Sequence, residues 1–167
     1  MKLSGRVFLL GDDVDTDVIY PARYLTVLDW AEQATHVFEA LGPQMPAKLR
    51  EFPVVAAGWN LGCGSSREHA VTGLLGAGVR LVVAKSFARI FFRNAINNGL
   101  AVVESPVLVD TLAEAAEVAV DLTAGIATCR RGTVRFEPLP PFLLGILQQG
   151  GLWASVRAAG GATRELP

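Results

Sequence analysis

The chain has 167 residues, of which 51% are hydrophobic and 19% charged, and its formal net charge is −1. That length encloses one good core and is too short for two ordinary domains, so a single domain over residues 1–167 is expected. Lys and Arg are scattered without a block of like charge, which argues against nucleic-acid binding, and no apolar run reaches the roughly 20 residues of a membrane span.

Residues 5–10 form a short apolar strand candidate, and the N-terminus MKLSGRVFLL lacks the long apolar stretch and cleavage site of a signal peptide. A cytoplasmic location is expected on that ground. The strand runs into Gly11-Asp12-Asp13-Val14-Asp15-Thr16-Asp17, an acidic turn whose side chains can bond their own backbone. Apolar residues at Trp30, Ala34, Val37, Phe38 and Leu41 predict a helix within residues 24–41, stopped at Gly42-Pro43, with a helix or loop continuing to Arg50. Residues 52–58 read as a buried strand. A glycine turn, Gly62-Cys63-Gly64, follows, and then a helix from Ser65 or Ser66 to Leu75.

Residues 79–84 are nearly continuous Val and Leu, as in a strand covered on both faces, so strand, helix and strand predict a parallel βαβ unit. Residues 87–98 read as a helix ended by Asn98-Gly99, and residues 100–103 as a third short strand. Residues 117–122 and 125–136 read as antiparallel strands around Thr123-Ala124-Gly125. Prolines over 138–141 precede a terminal helix near 142–148, and the tail 160–167 is expected to be frayed and flexible. The fold class is therefore α/β, one domain with a mixed sheet.

Gly64-Ser65-Ser66-Arg67-Glu68 places two hydroxyls and a guanidinium where a helix is expected to begin. Helix N-termini and a two-pronged guanidinium both suit a carboxylate. A serine oxygen there can act as a base only where positive groups stabilise its alkoxide, as Arg67 and backbone donors would. The competing structural account makes Ser65 a helix cap, with Glu68 completing a capping box. A phosphate loop fits poorly, because the Lys after a second glycine and the dinucleotide glycine pattern are both missing. A self-sufficient serine hydrolase would need a partner base, with only His36 and His69 on offer and no nucleophile-elbow pattern around Ser65.

Three segments, residues 11–25, 62–70 and 84–94, together resemble the swivelling domain of the aconitase superfamily, in the same order. Standing alone at this length, the chain resembles the separate small subunits of isopropylmalate isomerases and homoaconitases. The resemblance implies a swivelling-type β/β/α domain that closes an active site on a large subunit, where three cysteines of that subunit hold a 4Fe-4S cluster whose iron acts as a Lewis acid. Cys63 and Cys129, the two cysteines of this chain, are too few to hold such a cluster through three or four thiolates, and no metal ligand is assigned here. By the same resemblance Ser65 removes the proton next to a carboxylate, Ser66 and Arg67 engage the carboxylates of a small hydroxy-diacid, and Asp17 joins the acid–base and hydrogen-bond network. A cap or turn role is the alternative for Asp17.

The reaction so implied is a reversible dehydration and rehydration that exchanges hydroxyl and proton between adjacent carbons, interconverting 2- and 3-isopropylmalate in leucine biosynthesis. Its substrate loop resembles the segment Arg23, Tyr24, Leu25, Thr26 and Val27. Thr26 stands where a basic residue would suit an extra carboxylate, and Leu25 and Val27 are apolar, so a branched hydrocarbon side group is favoured. Homoaconitate, citramalate and dimethylmalate remain alternatives because Arg23 is adjacent, and a non-catalytic binding module of the same fold is the alternative of another class. His69 and Cys63 read as packed or turn residues, Lys85 and Arg89 as strand-end residues or an ion pair with Glu68, and Trp30, Phe91 and Phe92 as core or subunit contact.

Overall fold

In the computed structural model, residues 1–159 are described. β1 (Lys2–Leu9) leads into α1 (Thr16–Ile19), a 3-10 turn (Ala22–Tyr24), α2 (Trp30–Gln33), a second 3-10 turn (Glu39–Leu41) and α3 (Met45–Leu49). β2 (Val54–Ala57), α4 (His69–Gly76), β3 (Leu81–Ala84), α5 (Arg89–Asn98) and β4 (Ala101–Glu104) follow. The remainder is α6 (Pro106–Thr111), β5 (Glu117–Asp121), β6 (Ile126–Cys129), β7 (Gly132–Arg135), α7 (Pro141–Gln148) and α8 (Leu152–Ala159).

All strands join one 7-stranded mixed sheet in the order β4-β3-β2-β1-β5-β6-β7. Its parallel half is made of β1 to β4, with Val7 opposite Val54, Val54 opposite Leu81 and Leu81 opposite Ala101. Every residue of β2 and β3 is buried, which is why these strands read as unbroken Val, Leu and Ala rather than alternating. β1 is the hinge between the two halves: its first residues pair antiparallel with β5, Lys2 opposite Asp121, and its last pair parallel with β2. Burial alternates along β5, as expected for a sheet with one face on the core and one in solvent. The predicted parallel βαβ unit is present as β2, α4 and β3.

Several predicted elements need correction. The helix expected within residues 24–41 is broken: α2 ends at Gln33, and Phe38 takes a left-handed backbone, φ 56°. Tertiary packing overrides helical periodicity there, because Phe38 is fully buried 5.8 Å from the Phe8 ring and its N–H donates to the Ile19 carbonyl at 2.9 Å. The helix expected from Ser65 or Ser66 starts at His69 with Glu68 as its N-cap residue. The expected strand over 125–136 is two strands, β6 and β7, turned at Arg130-Arg131. α6 and α8 were not expected. α6 is capped by the Ser105 hydroxyl, which accepts from the Leu108 N–H at 3.2 Å. The tail 160–167 lies outside the described residues. Among the described residues, no helix is long and apolar enough to cross a membrane.

Candidate functional site

Three loops meet beyond the carboxyl ends of β1, β2 and β3, the edge at which parallel α/β sheets commonly bind ligands. Backbone bonds continue the ladder past the strands: Gly58 donates to Gly11 at 3.0 Å, Asp13 to Trp59 at 2.8 Å, Gly62 to Val14 at 2.8 Å and Thr16 to Cys63 at 2.9 Å. Leu61 completes the join to the third loop: its N–H donates to the Ser86 carbonyl at 3.0 Å and its carbonyl accepts from the Ala88 N–H at 2.9 Å. The acidic turn and the glycine-serine-arginine turn, nearly fifty residues apart in sequence, are thereby locked side by side.

Gly62 makes the crossing possible. Its φ is +78°, and a Cβ there would lie 2.3 Å from Cγ of the buried Phe91. Asp15 caps α1, its Oδ1 accepting from the Val18 N–H at 2.9 Å, so the cap role weighed for Asp17 belongs to Asp15. Asp17 is left free to face Arg67. Arg67 Nη2 donates to Asp17 Oδ2 at 2.8 Å, Nη1 meets Asp17 Oδ1, and Nη1 also donates to the Tyr20 carbonyl at 3.4 Å. The Ala22 N–H adds a bond to Asp17 Oδ1 at 3.3 Å. Arg67, through hydrogen bond and charge, and then Ala22 hold the Asp17 carboxyl below its usual range although it is more than half exposed.

Ser65 and Ser66 are exposed, and Ser65 lies three residues ahead of the N-cap position, where no side chain caps the helix. The capping-box account of Ser65 and Glu68 is therefore wrong. Ser65 is instead fixed by its backbone: its carbonyl accepts from the Thr16 hydroxyl at 3.1 Å and from the Arg67 N–H at 2.9 Å. Ser65 is thus an exposed residue two positions before Arg67, held through its carbonyl. The expected proximity of the serines to the first N–H groups of the helix is weaker than the sequence suggested, because α4 begins later.

Residues 23–27, expected to form the substrate loop, adjoin the Asp17–Arg67 pair through Ala22 and Tyr20, whose hydroxyl donates to the Tyr24 carbonyl at 3.1 Å. Leu25 and Thr26 are exposed and Val27 half-buried. Arg23 is committed elsewhere, donating to Glu39 Oε1 at 2.8 Å with its guanidinium 4.8 Å from the Tyr24 ring centre. Tyr24 stacks on His36 at 3.6 Å and donates its hydroxyl to the same Glu39 oxygen at 3.3 Å.

Sequence reasoning missed Glu39 and the buried pair Gln33–Thr72. Thr72 donates to Gln33 Oε1 at 2.5 Å, and Gln33 Nε2 donates to the Val27 carbonyl at 2.9 Å, tying the segment ending at Val27 to α4. An amide at a helical position otherwise facing the core was the available signal for Gln33. Glu39 offered none, since its hydrogen-bond partners lie 15 and 16 residues away. Lys85 pairs with Asp110 at 2.6 Å, not with Glu68, which accepts from Asn98 at 3.0 Å. His69 packs on Tyr20 at 5.5 Å, and burial pushes the Cys63 thiol up, keeping it protonated. Phe91 is core, Phe92 half-buried and Trp30 exposed. Among the described residues, no group of three or more His, Cys, Asp or Glu is placed to hold a metal ion.

A family profile described as the aconitase C-terminal domain matches residues 14–107, a span that holds Asp17 and the whole of the glycine-serine-arginine turn. The 3-isopropylmalate dehydratase small subunit of Helicobacter hepaticus is 45% identical over 163 residues, covering 95% of this chain and 99% of that one. Small subunit 1 of the same enzyme from Methanopyrus kandleri is 46% identical over 160 residues, covering 95% of this chain and 94% of that one. A crystal structure of 3-isopropylmalate dehydratase from Methanocaldococcus jannaschii matches with a TM-score of 0.87 at 38% identity, covering 95% of each chain.

Proposed function

Because the chain belongs to the aconitase family, among the small subunits of 3-isopropylmalate dehydratase, we propose that it supplies half of a hydro-lyase site interconverting 2- and 3-isopropylmalate in leucine biosynthesis. The observation that carries this reading is the turn that sets the exposed Ser65 and Ser66 directly before an arginine already oriented by Asp17.

Arg67 has five N–H donors. Nη1 serves Asp17 and the Tyr20 carbonyl and Nη2 serves Asp17, which leaves the Nε–H and one Nη2–H as a side-on fork for a substrate carboxylate. Ser66 adds a hydroxyl donor beside it. Ser65 takes the proton from the carbon next to that carboxylate, and the negative charge that develops spreads onto the carboxylate, where the guanidinium meets it. Asp17 is a positioning residue in this scheme: ionised and paired, it fixes the rotamer of Arg67 and is a poor proton donor near neutrality.

The departure of the hydroxyl falls to the large subunit, which by this proposal holds the 4Fe-4S cluster. Leu25, Thr26 and Val27 line the side-group end and favour a branched alkyl group over a third carboxylate. Anaerobic reconstitution with the candidate large subunit, assayed on isopropylmalate, homoaconitate and citraconate side by side, tests the reading. Turnover of isopropylmalate that requires both chains is expected, and failure on all three substrates overturns it.

A further inference from the structure

The cluster of Arg23, Tyr24, His36 and Glu39 beside the substrate loop has no part in the proton transfer described above. Glu39 Oε1 accepts from Arg23 Nη2 at 2.8 Å and from the Tyr24 hydroxyl at 3.3 Å, while Oε2 is buried without a hydrogen-bond partner, 3.6 Å from His36 Nδ1. Tyr24 is sandwiched, with the His36 ring 3.6 Å away at an interplanar angle of 10° and the Arg23 guanidinium 4.8 Å from its centre. Arg23 is the cation borne by the substrate-loop segment, and one carboxylate and one ring face hold it.

We propose that Glu39 is a specificity-determining residue, which withholds the Arg23 guanidinium from the substrate side group and so keeps that end of the site suited to an alkyl chain rather than a third carboxylate. This rests on the hydro-lyase reading. The physical argument is one of competition. A hydroxy-tricarboxylic acid carrying a carboxylate on its side group gains a two-pronged contact only if a guanidinium is free to turn toward it. With Glu39 in place, that substrate must first break an intramolecular pair at high effective concentration, and the Tyr24 ring holds the guanidinium against turning. An alkyl side group needs no such release.

The test assembles wild type, Glu39→Gln, and Glu39→Gln with Arg23→Gln, each with the large subunit, and measures kcat/KM for the branched-alkyl hydroxy-diacid and for the tricarboxylate. Gln is isosteric and still accepts from Tyr24, so the loop keeps its shape. The ratio of tricarboxylate to alkyl kcat/KM should rise about tenfold in Glu39→Gln, mainly through a lower KM for the tricarboxylate, and return to the wild-type value in the double variant. Should Glu39→Gln not assemble, Arg23→Gln alone serves: its ratio stays within about twofold of wild type, because Arg23 is already withheld, and a tenfold fall in the ratio overturns the proposal. Equal losses on both substrates, or a shift that persists in the double variant, make Glu39 a mere scaffold and also overturn it. Those outcomes leave the hydro-lyase reading standing while wild type still turns over the alkyl substrate; a wild type that assembles and turns over neither overturns that reading itself.

Discussion

Arg67 and Asp17 face each other end-on, with Nη2 donating to Oδ2 at 2.8 Å and Nη1 on Oδ1, although fifty residues separate them in sequence. The Arg67 side chain is only 11% exposed and that of Asp17 56%, so the pair sits at the mouth of the site with the arginine inside. A guanidinium held this way presents its remaining edge in one orientation before any substrate arrives, which lowers the ordering cost of binding.

Arg67→Lys keeps the charge and removes the fork. An ammonium cannot bond both Asp17 oxygens and still offer two parallel donors to a substrate carboxylate. Steady-state kinetics of the assembled enzyme should show kcat/KM lowered by about 10- to 100-fold. A variant with unchanged kcat/KM removes Arg67 from carboxylate binding.

The Asp17–Arg67 pair also predicts a pH dependence of stability. The folded-state pKa of Asp17 is depressed below the ordinary value of 3.8, so its contribution is present above that value and is lost as pH falls through the lower folded-state value. The exposure of Asp17 screens the effect and keeps it small. Thermal unfolding of wild type and Asp17→Asn should therefore differ at pH 7 and converge as the pH drops below the ordinary aspartate range. A gap that stays constant down to strongly acidic pH means the substitution acts through packing instead.

Ser65→Ala removes the proposed base and nothing structural, because Ser65 is anchored by its carbonyl to Thr16 and Arg67 rather than by its hydroxyl. Loss of a positioned general base costs about 10²- to 10⁴-fold in kcat. Subunit association and substrate affinity should stay near wild type in a binding assay. Wild-type turnover would exclude Ser65 as the base.

The parallel half of the fold was legible in sequence because burial on both faces writes itself as continuous apolar residues in β2 and β3, punctuated by glycine turns. The helix start was misread at Ser65 because Ser followed three residues later by Glu is a local capping signal, whereas the bonds that decide this turn come from Thr16, 49 residues away. Residues 24–41 were misread for a similar reason. Their apolar spacing is helical, but the burial of Phe38 against Phe8 depends on β1, which no local window contains. The proposed site residues Asp17, Ser65 and Arg67 were recognisable as motifs; that Asp15 rather than Asp17 caps α1, and that Glu39 engages Arg23, are facts of tertiary geometry.

Gln33→Leu tests the buried link between the proposed substrate loop and α4. Gln33 and Thr72 are 3% and 5% exposed, and the substitution leaves the Val27 carbonyl without its donor and the Thr72 hydroxyl without its best acceptor. An unsatisfied buried group costs about 1–3 kcal/mol, partly relieved for Thr72, which can turn to the Glu68 carbonyl at 3.4 Å. Denaturant unfolding should show a loss of about 1–3 kcal/mol with an unchanged m-value. A neutral result would mean that water or the remaining bond satisfies both groups.

Gly62→Ala and Gly78→Ala separate backbone strain from steric conflict. Both glycines have left-handed φ, +78° and +95°, so each alanine pays a conformational penalty of about 1–2 kcal/mol. At Gly78 nothing lies within 4 Å of the added Cβ, and that penalty is the whole effect. At Gly62 the Cβ would stand 2.3 Å from Phe91 Cγ and 2.4 Å from its Cβ, and Phe91 is 2% exposed in the core, so the ring and the turn must both shift. Overpacking of that kind adds about 1–3 kcal/mol. Because Gly62 donates to Val14 at 2.8 Å and precedes the serines, its displacement should also lower kcat of the assembled enzyme, whereas Gly78→Ala should lose stability with kcat retained. Equal unfolding free energies for the two variants would show that the glycine turn yields without cost and that Phe91 does not set its position.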